Sequence, residues 1–158
     1  MFELDESGGA PSRQELLEQA RSLLSASRDR VANAANLSSL LYHSLDKVNW
    51  VGFYFRQGEQ LVVGPFQGKP ACVLIPMGKG VCGTAAVQGE TQRVADVDAF
   101  PGHIACDAAS QSEVVVPLMQ ENECWGVLDV DSPVRERFSQ EDQDLFEAIV
   151  ALYQASVD

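Results

Sequence analysis

The sequence predicts one α+β domain in which helices at both ends of the chain pack on one face of an antiparallel sheet of about six strands. Apolar residues recur at helical spacing near the two ends, whereas the middle of the chain consists of short β-rich runs separated by glycine turns. Helices that flank a run of strands favour this two-layer arrangement. With 158 residues, 46% of them apolar, the chain is long enough to bury one sizeable hydrophobic core.

Two helices are expected at the N-terminal end, after a lead-in over residues 1–11 that we expect to be disordered. Ser12 is the expected N-cap of the first helix, because its hydroxyl can accept a hydrogen bond from an amide in the first turn. Apolar side chains recur at helical spacing over 16–24 and again over 31–45, with a polar stretch between them. We therefore predict two amphipathic helices and a domain that spans residues 12–158.

Beyond these helices the chain alternates short strands with one helix and then ends in a last helix. A glycine-rich stretch over 78–86 predicts the short helix, and residues 96–112 predict a long irregular connection. Ser139 is the expected N-cap of the final helix, which has acidic residues in its first turn. The predicted strands cover residues 51–55, 61–66, 72–75, 92–95, 113–119 and 124–130.

The charge of the chain argues against two classes of partner. Eleven Lys and Arg against 23 Asp and Glu give a formal charge of −12, which repels nucleic-acid phosphates and anionic lipid headgroups. No apolar run approaches the roughly 20 residues that cross a bilayer, and the first residues lack the basic and apolar segments of a signal peptide. We expect a cytoplasmic protein that binds neither nucleic acid nor a membrane.

The four cysteines do not form a metal-binding pattern. They lie at positions 72, 82, 106 and 124, so neither a CxxC pair nor a zinc-ribbon spacing is present. Permanent disulfides are uncommon in a reducing cytoplasm. The thiols are therefore expected to be either inert and buried or redox-active.

Each cysteine has its own sequence context. Cys106 lies in the long connection near His103; an accessible thiol beside a histidine suits a nucleophile, and a chance loop cysteine is the alternative. Cys82 starts the predicted short helix, where the helix dipole and a preceding lysine favour a thiolate, although a small packed side chain is equally compatible. The strand positions of Cys72 and Cys124 favour buried core thiols.

Three acids lie in the β-rich segment near the C-terminal helix. Glu113 opens one predicted strand, whereas Asp129 and Asp131 end the next. Residues two apart in a strand face the same side, so the two aspartates point together if the strand continues that far. Neighbouring carboxylates repel each other unless a cation lies between them, and a substrate ammonium or a metal ion would serve. A solvated strand end is the alternative.

Several spaced motifs together resemble the free methionine-(R)-sulfoxide reductases, which are single-domain GAF enzymes. The resemblance extends from about Ser12 to Tyr153, and it includes the NWVGFY sequence at the expected junction of the second helix and the first strand. The other motifs are Cys72, GVCGT over 80–84, FPGHIACD over 100–107, the Ser-Glu pair at 112–113 and GVLDVDS over 126–132.

This resemblance implies a role for every cysteine except Cys124, which has no place in the family pattern. Cys106 would attack the sulfoxide sulfur and become a sulfenic acid as methionine is formed. Cys72 would resolve the sulfenic acid as an intramolecular disulfide, and Cys82 would take part in a second disulfide that is presented to the reductant. The implied role of Cys72 replaces the core position that its strand context suggests.

The same resemblance implies a pocket for a free amino acid. Glu113, Asp129 and Asp131 would hold the substrate ammonium and protonate the sulfoxide oxygen, with the roles undivided among them. Trp50 and Tyr54 would form the apolar wall that receives the S-methyl group. A methionine sulfoxide inside a protein has no ammonium to satisfy these carboxylates, so we expect free methionine-(R)-sulfoxide as the substrate.

The implied chemistry uses thiols only, so no metal, flavin or nicotinamide cofactor is expected. Electrons would come from a dithiol protein such as thioredoxin, and we expect a homodimer. Two alternatives have a different function: a GAF sensor that binds a small ligand, and an interaction module without activity. A ligand sensor needs no set of three placed cysteines, which favours the reductase.

Overall fold

The computed structural model describes residues 10–104 and 109–158, which form the predicted α+β domain. The described helices are α1 (Arg13–Leu24), α2 (Arg30–Ser44), α3 (Gly80–Gln88) and α4 (Gln140–Ser156). The strands are β1 (Trp50–Gln57), β2 (Gln60–Gly68), β3 (Leu74–Pro76), β4 (Gln92–Val94), β5 (Ser112–Gln120) and β6 (Glu123–Ser132). No helix in these two ranges is long and apolar enough to cross a membrane.

The six strands form one antiparallel sheet in the order β3-β2-β1-β6-β5-β4. The two longest-paired neighbours, β5 and β6, are joined by a tight turn in which Glu121 and Asn122 have φ of 51° and 67°. Two successive residues with backbone angles in the left-handed region give a hairpin turn the same sense of twist as its strands. A bulge between Leu118 and Met119 then shifts the register by one residue, so that Glu113 lies opposite Asp131 and not opposite Val130.

The helices at the two ends of the chain pack on one face of the sheet, as predicted. Ser12 and Ser139 cap α1 and α4 through their hydroxyls, and Ser139 forms a full capping box with Asp142. The main core lies between these helices, α2 and the sheet. Its fully buried members include Leu37, Leu41, Phe53, Leu128, Phe146 and Ile149.

Helix α3 packs on the opposite face of the sheet. Alternation along β1 sends Val51 and Phe53 into the main core and sends Trp50 and Tyr54 toward α3. A second buried cluster on this face joins the two aromatic rings to α3 and to Val115 and Val127 of the central strands. The candidate site lies within this second layer.

The predicted strand at 72–75 is wrong in its first two residues. β3 begins at Leu74, and Cys72 is half-buried in the irregular connection that precedes it. The Tyr54 hydroxyl donates a hydrogen bond of 3.1 Å to the Cys72 carbonyl, so this backbone group is satisfied by a side chain and not by a ladder. A short 3-10 helix, Val97–Ala99, capped by Asp96, begins the long connection.

Candidate active site

The three acids converge on the face of the sheet that α3 covers. Glu113 of β5 lies directly opposite Asp131 of β6, and Trp50 of β1 lies opposite Asp131 on its other side. Asp129 is two residues before Asp131 and therefore projects to the same face. Glu113 and Asp129 are only 7% and 6% exposed. The prediction that the aspartates point together is confirmed, and burial of this kind does not fit a solvated strand end.

Burial makes these carboxyls hold their protons. Desolvation, followed by the nearby charge of Asp131, raises the pKa of Glu113 well above its usual range. Desolvation, followed by the charge of Glu113, likewise raises the pKa of Asp129. Two carboxyls that disfavour each other's ionisation share a proton more readily than isolated carboxyls do. The cluster can therefore bind a cation through a carboxylate and donate a proton through a carboxylic acid.

Cys82 is the third residue of α3 and lies over the same acids. Its thiol donates to Asp129 Oδ2 at 3.5 Å, and its side chain is 6% exposed. Desolvation, followed by the charge of Asp129, raises the pKa of this thiol. Of the two alternatives for Cys82, burial therefore favours the packed side chain over a thiolate stabilised by Lys79 and the helix dipole. Lys79 is exposed and makes no capping hydrogen bond, whereas a buried carboxyl lies in direct contact with the thiol.

Trp50 and Tyr54 form an aromatic wall beside the acids. Trp50 stacks on Tyr54 and on Phe66, with centroid separations of 5.8 and 5.1 Å. The Trp50 indole N–H donates to the Lys69 carbonyl at 3.1 Å, which fixes the ring. Gly52 leaves room for Trp50 to stack on Phe66, because a Cβ atom on residue 52 would overlap the Phe66 Cβ. Burial raises the pKa of Tyr54 far above neutrality, so its hydroxyl remains a donor.

His103 and its neighbour close the other side of the cavity. His103 Nε2 is 3.7 Å from Glu113 Oε1, so the structure pairs this imidazole with an acid that is ten residues away in the chain. Ile104 lies against Gly80, where a Cβ would be only 3.2 Å from Ile104 Cγ1 and where φ is +63°. A glycine at the start of α3 therefore permits the close approach of this connection. Cys106 lies outside the described residues.

The other cysteines differ in chemical state. Cys72 is disulfide-bonded, whereas Cys82 and Cys124 are free thiols. Cys124 is 5% exposed in β6, and its thiol donates to the Gly126 carbonyl at 3.0 Å. The predicted core position of Cys124 is confirmed, and this cysteine does not line the cavity of the acids.

Cys82, Glu113 and Asp129 place one ligand atom each within 4.8 Å of the others, an arrangement that could hold a metal ion.

Sequence reasoning missed several residues that line this cavity. Nothing local in the sequence singles out the missed residues, because small and aliphatic side chains occur throughout the chain; only their place in the lining of the cavity marks them. They are Pro70, Ala71, Ile75 and Ser110.

Comparison with known proteins extends these observations. The GAF domain family model matches residues 13–156. A free methionine-R-sulfoxide reductase from Escherichia coli is 52% identical over 129 residues, which are 82% of this chain and 78% of that protein. A free methionine-R-sulfoxide reductase from Saccharomyces cerevisiae is 41% identical over 157 residues, which are 92% of this chain and 87% of that protein.

A solved structure agrees with these relatives. The crystal structure of free methionine-R-sulfoxide reductase from Neisseria meningitidis in complex with its substrate superposes with a TM-score of 0.87 at 40% sequence identity. The superposition covers 99% of this chain and 98% of that one. Similarity therefore extends over the whole described fold, including every strand that carries an acid of the cavity.

Proposed function

Because this chain belongs to the GAF-domain family of free methionine-R-sulfoxide reductases, we propose that it is an oxidoreductase that converts free L-methionine-(R)-sulfoxide to methionine. One observation carries the choice of substrate: buried carboxyls line a cavity with an aromatic wall. Asp129 Oδ1 is buried and has no hydrogen-bond partner among the described residues. A substrate ammonium supplies the missing donor and the missing positive charge.

The remainder of the substrate matches the rest of the cavity. The stacked rings of Trp50 and Tyr54 offer an apolar surface to the S-methyl group. The substrate carboxylate would accept hydrogen bonds from backbone amides of the enclosing connection, with Lys79 at the rim as a nearby cation. A methionine sulfoxide within a polypeptide lacks the ammonium, so the acids favour the free amino acid.

In the first chemical step the Cys106 thiolate attacks the sulfoxide sulfur. An acid of the cluster, Glu113 or Asp129, protonates the sulfoxide oxygen, and burial favours this role because it raises the pKa of both carboxyls. The oxygen is transferred to Cys106, which becomes a sulfenic acid, and methionine leaves as the thioether. Sulfur in the substrate is reduced by two electrons, and Cys106 is oxidised by the same two.

Cys72 then resolves the sulfenic acid. Its thiol displaces water from the Cys106 sulfur and forms an intramolecular disulfide. Two observations support this role: Cys72 is disulfide-bonded, and its carbonyl accepts a hydrogen bond from Tyr54, a residue that lines the cavity. Cys82 would enter only afterwards, by thiol exchange into a second disulfide, because its buried thiol is protonated and therefore a poor initial nucleophile.

A dithiol protein of the thioredoxin type would reduce the disulfide of the enzyme. We propose that the enzyme acts in the cytoplasm as a homodimer. Reduction requires two electrons per turnover, which one dithiol supplies by becoming a disulfide. The reaction balances with no metal, flavin or nicotinamide bound to this chain.

The proposal is tested by turnover of free sulfoxides in the presence of a thioredoxin-regenerating system. We expect methionine to form from the free R epimer and much more slowly from the S epimer, because one epimer alone presents its oxygen to the acids when its ammonium and methyl group are bound. A ligand-sensing GAF domain would bind the amino acid and form no methionine. Absence of turnover with either epimer would contradict the proposal.

A further inference from the structure

The acidic cavity contains three atoms of types that commonly ligate metal ions. Cys82, Glu113 and Asp129 each contribute one ligand atom to a cluster whose members lie within 4.8 Å of one another. All three side chains are more than nine-tenths buried, and Asp129 Oδ1 lacks a hydrogen-bond partner in the part of the chain that the structure describes. We infer that this cavity binds a thiophilic divalent cation such as Zn²⁺, which acts as an inhibitor in competition with the substrate ammonium.

The spacing of two ligand atoms fits tetrahedral zinc. Zn–S and Zn–O bonds of about 2.3 and 2.1 Å at a tetrahedral angle place the sulfur and the oxygen about 3.6 Å apart. The observed separation of Cys82 Sγ and Asp129 Oδ2 is 3.5 Å. A zinc ion could therefore replace the thiol proton between these atoms with little movement of α3 or β6. Glu113 supplies the third ligand, and water occupies the fourth position.

The donor set also selects the type of cation. Thiolate ligands favour zinc, cadmium and cobalt over magnesium and calcium, which prefer oxygen ligands alone. On binding, the Cys82 S–H bond breaks and a sulfur–metal bond forms, and any proton on the Glu113 or Asp129 carboxyl is also released. These protons pass to solvent, and no oxidation state changes. The cavity measures about 40 Å³, enough for an ion and its water but in a place that the substrate ammonium also needs.

A matched pair of cysteine variants tests the site directly. Cys82 and Cys124 are both buried free thiols, but only Cys82 contacts the acids. Co²⁺ is titrated into protein isolated without reductant, in which Cys72 is disulfide-bonded. We expect one Co²⁺ per chain with a thiolate-to-metal charge-transfer band in the wild type and in Cys124→Ser, and no such band in Cys82→Ser. Failure of the wild type to bind Co²⁺, or a band that survives Cys82→Ser, would overturn the inference.

A second variant tests the carboxylate ligand without removing the thiol. Glu113→Gln preserves the shape of the side chain and should lower the affinity for Zn²⁺ at least about tenfold, measured by competition with Co²⁺. An unchanged affinity would refute the three-residue site. Mg²⁺ at the same concentrations should leave the Co²⁺ band intact, whereas displacement by Mg²⁺ would indicate a site of oxygen ligands only and would also refute the inference.

Competition with the sulfoxide links the metal to the proposed function. Excess free methionine sulfoxide should lower Co²⁺ occupancy in the same spectroscopic titration, and undiminished occupancy would contradict a shared site. This arm depends on the proposed substrate, whereas the charge-transfer band does not. A protein that shows the band but never reduces the sulfoxide would refute the proposed function and leave the metal site standing.

Discussion

The buried acids predict that the enzyme distinguishes free methionine sulfoxide from its N-acetyl derivative. Acetylation removes the positive charge of the nitrogen and adds bulk next to Glu113 and Asp129. A hydrogen bond to a charged group contributes roughly 1.5 to 3 kcal/mol, and both carboxyls are shielded from water. Since about 1.4 kcal/mol corresponds to a factor of ten, kcat/KM should fall at least about tenfold on acetylation.

Amide variants identify which acid holds the nitrogen. Asp129→Asn, or the equivalent change at Glu113 or Asp131, should lower kcat/KM for the free amino acid more than for the acetylated one. The ratio of kcat/KM for the free substrate to kcat/KM for the acetylated one should therefore fall in the variant that has lost the main partner of the ammonium. Glu123→Gln is the matched control, because Glu123 is an exposed acid at the other end of β6.

The assay compares kcat/KM for free and N-acetylated R-sulfoxide with the wild type, the three amide variants and the control. Equal kcat/KM on both substrates with the wild-type protein would refute the argument, since the ammonium would then contribute nothing to binding or catalysis. If the ratio of kcat/KM between the free and acetylated substrates stayed the same in all three amide variants, the preference for the free substrate would come from steric exclusion of the acetyl group.

Cys72→Ser should still release about one methionine per chain without external thiol, because attack by Cys106 precedes disulfide formation, while repeated turnover should fall; loss of the first turnover would contradict this order. Burial raises the pKa of Glu113, so the folded chain keeps a proton that the unfolded chain releases, and the free energy of unfolding should fall as pH rises from the ordinary glutamate pKa to the raised value. In urea unfolding at about pH 5 and pH 8, Glu113→Gln should show a smaller fall than wild type. Gly80→Ala should lower the free energy of unfolding through two effects. The added methyl group would contact Ile104, and the positive φ at this position would contribute about 1 to 2 kcal/mol in addition. Gly102→Ala, also at positive φ but in open space, is the control that isolates the contact at Gly80.

Much of the fold could be predicted because it follows from local patterns. The helical spacing at the two ends and the caps at Ser12 and Ser139 define α1, α2 and α4. Alternation along β6 places Asp129 and Asp131 on one face, as short-range rules predict. Their register with Glu113 does not follow from the hairpin turn alone, because a bulge at Leu118 and Met119 shifts the pairing by one residue.

The parts that could not be predicted depend on contacts between distant residues. The pKa of the Cys82 thiol is raised first by burial and then by Asp129, which is 47 positions away in the chain. The irregular backbone at Cys72 is held by the hydroxyl of Tyr54, 18 positions away. His103 Nε2 lies 3.7 Å from Glu113 Oε1, a pairing that the sequence around His103 does not indicate. Local propensity carries no information about such pairs.

The assignment of Cys106 as nucleophile is tested most directly by methionine released in a single turnover. Pre-reduced protein is mixed with excess free methionine-(R)-sulfoxide without external thiol, and methionine is counted per chain. The account predicts about one methionine from the wild type and from Cys124→Ser, and none from Cys106→Ser that retains its thermal unfolding transition. Methionine release from Cys106→Ser at the wild-type level would contradict the account.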